Sequence, residues 1–231
     1  MQIAGPPRPG RRPTPHWAAP RPTVVAVTVI DVYADIVCPF AHAGLRTVVR
    51  RRQQLGRDDV VLRVRAWPLE LVNGDPLDRA APAAHVDELR TQVASDLFAG
   101  FDADRFPPTS LPALALASVA YRRDDRVGET VSLALRNALF EQGLDVSDPA
   151  VLAAVATEHD LRPPGHEALD AVRAEWHEGQ RRGVRGSPHF FCGDVEAFCP
   201  SLDISKDDAG DLQIRRNIEV LDAFLAECFK L

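Results

Sequence analysis

The chain has 231 residues, 45% apolar and 26% charged, enough to bury a sizeable core without help from disulfides or metal. Its formal charge is −6, and because the first 23 residues hold four arginines and no acid, residues 24–231 alone carry −10. An acidic body argues against nucleic acid and anionic membrane surfaces as partners.

Residues 1–23, MQIAGPPRPGRRPTPHWAAPRPT, contain seven prolines. They read as a disordered extension, since proline supplies no backbone donor and the stretch has no face to bury. TVVAVTVIDVYADIV follows, interrupted by Asp31 and Asp35 and rich in β-branched residues. That pattern excludes a secretory signal and predicts a buried strand over 24–37. No run of 18 apolar residues occurs elsewhere, so no membrane span is expected.

The strand runs directly into Cys38-Pro39, and FAHAGLRTVVRRRQQLG then places Leu45, Val48 and Val49 at helical spacing before Gly56. Proline at the first helical position and glycine past the last predict a helix with Cys38 at its N-terminus. DVVLRVRAWPLEL alternates Leu62, Val64 and Ala66 against Arg63 and Arg65, a strand by its period of two, ended by Pro68. Strand, helix and strand within about 40 residues form a βαβ unit with a right-handed crossover.

From Asp75 to Gly183 the apolar spacing is helical throughout, with Asp148-Pro149 as a cap and first-turn proline. Alternation returns in VRGSPHFFCGDVEAF, where Gly193-Asp194 marks a turn between two short strands. A polar loop, SKDDAGD, leads to a last helix, IRRNIEVLDAFLAECF, with Ile218, Leu221, Leu225 and Phe229 on one stripe. The expected organisation is a core of 24–74 and 184–231 interrupted by a helical subdomain over 75–183.

Cys38 carries the chemistry available here. A thiol at a helix N-terminus faces unpaired N–H groups and the positive end of the helix dipole, so its pKa is expected below the ordinary value of about 8.5. His42, one turn on, adds to this if protonated. The competing readings are a buried inert thiol and a solvated histidine. Phe40 and Trp67 either wall a pocket beside Cys38 or sit in the core. Ser187-Pro188, at a strand entrance, is a place where a cis bond occurs, although the local sequence by itself favours an ordinary trans proline.

The other cysteines are 192, 199 and 228. They show neither zinc spacing nor CxxC, which suits a reduced, cytoplasmic protein. Cys192 falls roughly 13 Å along the strand from Pro188, beyond the reach of a disulfide to Cys38 without rearrangement. Cys192 and Cys199 flank the turn, where they are expected to stay reduced, and Cys228 belongs to the core. No spacing among the histidines suggests a metal, and no phosphate loop is present.

The Cys-Pro-aromatic stretch, AWPLEL at the second strand, the long helical insertion and GVRGSP, in this order, resemble the DsbA-like branch of the thioredoxin superfamily. Within that branch the likeness is to FrnE-type and 2-hydroxychromene-2-carboxylate isomerase-like proteins, and LFEQGLDVSDPAVLAAVA is similar to their insertion helices. The resemblance spans about residues 26–230. It implies an α/β, thioredoxin-like fold with a large all-helical insertion. It also implies Cys38 as attacking cysteine and Pro188 as the cis-proline. Together with the local reading, Pro39, Phe40 and His42 are expected to activate and position the thiol, and Ser187, Pro188 and Trp67 to contact the substrate.

One departure matters: Ala41 stands where redox members have the resolving cysteine, and alanine cannot release a mixed disulfide. The expected function is therefore DsbA-like thiol-dependent oxidoreductase chemistry with a single cysteine, acting on a small-molecule or peptide thiol or disulfide. Glutathione is the implied co-substrate, and no tightly bound cofactor is expected. Two alternatives stay open. One is a glutathione-dependent isomerase or kappa-class transferase, whose relatives carry serine at this position and bind glutathione against the cis-proline. The other is a non-catalytic binding module.

Overall fold

Alternation in the first two strands sets the layers. β1 (Thr28–Ala34) and β2 (Val60–Ala66) pair in parallel, Thr28 with Val60 through Ala34 with Ala66, and α1 (Pro39–Gln54) is the crossover. Ile30, Val32 and Ala34 of β1 join Leu62 and Val64 of β2 in one buried cluster with Leu45 and Val48 of α1. Tyr33, one residue out of phase, packs instead with Trp67 and Phe191. A period of two thus supplies both faces of the sheet. The computed structural model describes residues 1–2 and 27–230. All but the first two residues of the Pro/Arg-rich extension expected over 1–23 lie outside the described residues.

β3 (His189–Cys192) runs antiparallel to β1, and β4 (Val195–Phe198) antiparallel to β3, giving the order β2-β1-β3-β4. Between β2 and β3 come α2 (Leu69–Asn73), α3 (Ala80–Gln92), a 3-10 turn (Ala103–Arg105), α4 (Leu111–Arg123), α5 (Asp125–Phe140), α6 (Pro149–Glu158) and α7 (His166–Arg182). Asp148 caps α6 through the Ala150 N–H at 2.8 Å.

The inserted helices also seal the sheet. β2 is an edge strand whose outward backbone groups need partners. The Glu129 carboxylate of α5 accepts from Leu62 N (2.8 Å), and the Tyr121 hydroxyl of α4 accepts from Val64 N (2.9 Å) and donates to Leu62 O (3.0 Å). Glu175 of α7 accepts from Ala66 N at 2.8 Å. Three side chains from three helices thereby stand in for a fifth strand.

Three boundaries differ from the sequence reading. The first strand stops at Ala34 because Asp35 starts a turn, accepting from Val37 N on its side chain (3.2 Å) and from Cys38 N on its carbonyl (3.4 Å). The expected polar loop is a second hairpin, β5 (Leu202–Lys206) with β6 (Leu212–Arg216), turned around Asp207, whose carboxylate accepts from Ala209 and Asp211 N–H. The last helix, α8 (Ile218–Cys228), begins later than expected, capped by Asn217 Oδ1 on Val220 N at 3.1 Å. Its buried stripe is Leu221, Phe224, Leu225 and Cys228, while Ile218 is exposed. Among the described residues no helix is long and apolar enough to cross a membrane.

Candidate active site

Strand end, turn and helix start bring Cys38 to one place. It is the N-cap of α1, with extended backbone (φ −81°, ψ 114°) and Pro39 in the first turn behind it. No side chain caps this helix start. The Cys38 Sγ–H donates to the Ser187 carbonyl at 3.2 Å, and the Asp35 N–H donates to Ser187 Oγ at 3.0 Å. Two bonds to one residue therefore clamp the turn before α1 against the loop before β3. The Ser187-Pro188 peptide bond is cis. The Ser187 carbonyl is occupied by the thiol in the resting protein.

The thiol is 4% exposed, which reverses the expectation of a lowered pKa. Burial pushes the Cys38 thiol up, against the Ser187 side chain, the Ala41 N–H and the Arg136 charge, which pull it down; the nearby Asp35 charge adds to the rise. The helix N-terminus acts in the expected direction but is outweighed by desolvation.

Under the thiol lies a buried polar network that the sequence reading missed. Asp35 is fully buried, and its carboxylate accepts from Leu69 N (2.6 Å), Ser110 Oγ (3.1 Å) and Val37 N (3.2 Å). Burial raises its pKa to about 6 in spite of these donors and the Arg136 charge. Arg136 of α5, also fully buried, donates to the Asp35 carbonyl at 2.9 Å and to Ser132 Oγ at 2.8 Å. Burial lowers its pKa to about 10, so it stays charged at neutral pH. Glu70 of α2 accepts from Ser110 N and from the Thr109 hydroxyl, both at 2.8 Å, tying α2 to the start of α4. Both central residues left a trace in the sequence: Asp35 is an acid inside an apolar run, and Arg136 a lone cation on an apolar helix stripe.

A pocket of about 430 Å³ opens over Cys38. Pro39, Phe40 and Ser187 line it together with Leu69, Leu77, His85 and Phe106, and Phe40 lies against the His85 ring at 5.0 Å between centroids. Pro188 is buried beside Ser187 but is not among the lining residues. Trp67 is not in the wall either. Its ring packs edge-on to Tyr33 at 6.3 Å, in the separate cluster with Phe191, and reads as core.

His42 likewise leaves the site. It is 1% exposed, bonds Glu141 through Nε2 at 2.7 Å, and packs against Phe98 and Phe140. Burial lowers its pKa, and Nδ1 has no partner, so the ring is a neutral donor with Nδ1 bare. Burial raises Glu141, but the bonds from His42, Phe98 N and Ala99 N overcome it and hold the carboxyl at about 2. Three N–H donors keep the carboxylate ionised beside a neutral ring, so His42 lends Cys38 no positive charge.

All four cysteines are free and buried. Ala41, at the position of a resolving thiol, is fully buried in the cluster that holds Cys38. Cys192 and Cys199 do not face each other: Cys192 pairs with Val195, and Cys199 lies past β4 with its N–H on the Pro188 carbonyl at 3.0 Å. The side chain of Cys192 meets Cys228 instead. No three His, Cys, Asp or Glu among the described residues are placed to hold a metal.

A family model, the DSBA-like thioredoxin domain, matches residues 29–206. No curated protein matches. Among solved structures, a candidate protein disulfide isomerase from Nitrosomonas europaea superposes with a TM-score of 0.59 at 17% identity, covering 88% of this chain and 98% of its own. A 2-hydroxychromene-2-carboxylate isomerase gives 0.54 at 17%, covering 74% and 88%. The cytosolic disulfide reductase DsbM from Pseudomonas aeruginosa, solved with GSH, gives 0.52 at 18%, covering 88% and 100%. At such identities these likenesses carry the fold, which is thioredoxin-like with mixed α/β content.

Proposed function

The chain belongs to the DSBA-like thioredoxin domain family, and on that footing we propose that it is a thiol-dependent oxidoreductase in which Cys38 is the single attacking sulfur. The observation that carries the reading is the placement of the Cys38 thiol in the pocket, at a helix N-terminus, with Ala41 where a second thiol would stand. In the resting protein the thiol is protonated and held on the Ser187 carbonyl. A bound disulfide displaces that bond. The Cys38 thiolate then attacks one sulfur, a Cys38–substrate disulfide forms, and the other half leaves as a thiolate that takes up the proton Cys38 has lost. A small outside thiol, for which we propose glutathione, attacks the mixed disulfide and returns Cys38 to its reduced form. No tightly bound cofactor enters the cycle, and the four free cysteines suit a reducing, cytoplasmic compartment.

The raised thiol pKa favours a second reading. A Cys38 that stays protonated is a hydrogen-bond donor rather than a nucleophile, and in that role it would orient a glutathione thiolate for isomerase or transferase chemistry. Site-mapped mass spectrometry after exposure to a small disulfide separates the two. The oxidoreductase reading expects a mixed disulfide on Cys38 that glutathione removes, and no turnover by Cys38→Ser. Full activity of Cys38→Ser with glutathione would overturn it in favour of the second.

A further inference from the structure

The pocket over Cys38 has charge of one sign in its wall. Around the thiol and Ser187 the surface is apolar, with Phe40, Leu69 and Phe106, and its acidic side chains are Asp75 and Asp78. Among the described residues no lysine or arginine lines it. Burial and the charge of Lys206 both lower the pKa of the remaining titratable wall residue, His85. The neighbouring cation, Arg79, is turned away to Asp104 at 3.2 Å. Asp78 is fixed at the start of α3, where its Oδ1 accepts from Ala80 N at 3.0 Å, and Asp75 has no ion pair among the described residues.

We infer that the group Cys38 takes into its mixed disulfide is a small aminothiol, apolar next to its sulfur and positively charged beyond it. The inference rests on the proposed nucleophilic role of Cys38. About 430 Å³ holds a small molecule rather than a folded partner. Phe40, Leu69 and Phe106 cover the carbon chain beside the sulfur, while Asp75 and Asp78 meet the ammonium. Lys206, exposed at the end of β5, stands outside the wall. Glutathione, with two carboxylates, meets two aspartates if it enters first; as the resolving thiol it needs only to bring its sulfur to the pocket mouth. In the first step the Cys38 thiolate attacks an aminothiol disulfide, so the Cys38 sulfur is oxidised and the departing aminothiolate is reduced and takes up the proton lost by Cys38.

The test compares rates of Cys38 modification by cystamine, by uncharged bis(2-hydroxyethyl) disulfide and by oxidised glutathione. Each rate is divided by that of a short unstructured peptide with one cysteine, which removes intrinsic reactivity. A carboxylate near a cation at a partly wet site is worth about threefold to tenfold at low salt. The normalised order expected is cystamine, then the neutral disulfide, then oxidised glutathione, with the first and last about tenfold or more apart. Asp75→Asn/Asp78→Asn, which keeps the acceptor for the Ala80 N–H, brings that ratio close to one, as does high salt. Oxidised glutathione reacting as fast as cystamine, or an unchanged ratio in the double variant, overturns the inference while leaving the role of Cys38 intact. A Cys38 that reacts with none of the three overturns both.

Discussion

Asp35 makes part of the stability of this fold depend on pH. Its carboxyl is fully buried and moves from an ordinary 3.8 to about 6. A carboxyl with a raised folded pKa is neutral without cost below the unfolded value. Between 3.8 and 6 the unfolded chain has lost this proton and the folded chain has not, so stability falls as pH rises, and above 6 the full penalty remains. The shift corresponds to about 3 kcal/mol, at 1.36 kcal/mol per pKa unit. Asp35→Asn removes the titration while keeping an acceptor for the Leu69 N–H. The amide mismatches some donors at every pH, so the readout is the pH dependence of the difference between wild type and variant. Denaturant unfolding at pH 4, 5, 6 and 7 should show wild type losing about 2 kcal/mol relative to the variant across this range, the rest of the shift falling below pH 4. Alkylation of Cys38 at neutral pH should be faster in the variant, because the Asp35 charge that pushes the thiol up is gone. Parallel stability profiles for the two proteins would refute this account of Asp35.

Arg136→Met removes the donor to the Asp35 carbonyl and the positive charge that draws the Cys38 thiol down; a stability loss of about 2–3 kcal/mol and slower alkylation at neutral pH are expected, and faster alkylation would contradict the assignment. Ala41→Cys should convert the site to a dithiol, since positions three apart at a helix start lie within disulfide reach. Mass spectrometry after oxidation should then find an internal bridge between Cys38 and the introduced thiol, and no persistent mixed disulfide; a persistent one would show that the helix start cannot close the bridge. Gly128→Ala drives a Cβ into the Tyr121 ring, displacing the side chain whose hydroxyl seals the β2 edge. A loss of about 1–3 kcal/mol in denaturant unfolding is expected, and a neutral result would show that Tyr121 moves freely.

What could be read from the sequence is what is local. The β-branched run of β1, alternation in β2, proline at the first turn of α1 and the Asp148-Pro149 start of α6 each state their element within a few residues, and Cys38 falls at the helix start by the same signals. The β5/β6 hairpin was hidden because its support comes from afar: Gln92 of α3 accepts from Ile214 N at 2.7 Å and donates to the Leu212 carbonyl at 2.8 Å. The surroundings of Trp67, just past the end of β2, and of His42, in α1, are not legible locally, since spacing along a helix or strand does not say which face the inserted helices cover. Phe98 and Glu141, which take His42 out of the site, lie 56 and 99 residues beyond it.

The same distance hides the chemistry of Cys38. An acid in an apolar strand end and a lone arginine on an apolar helix stripe are each too costly to bury uncompensated, so a fold that buries both must supply partners. Here they meet through the Asp35 carbonyl, across 101 residues of sequence. Their charges act on the thiol in opposite directions, Asp35 raising its pKa and Arg136 lowering it. Protonation of Asp35 near pH 6 removes the opposing charge while Arg136 remains. The reactivity of Cys38 thus depends on a buried pair outside the CPFA stretch, and transplanting that stretch into a related helix start would carry over the thiol without its tuning.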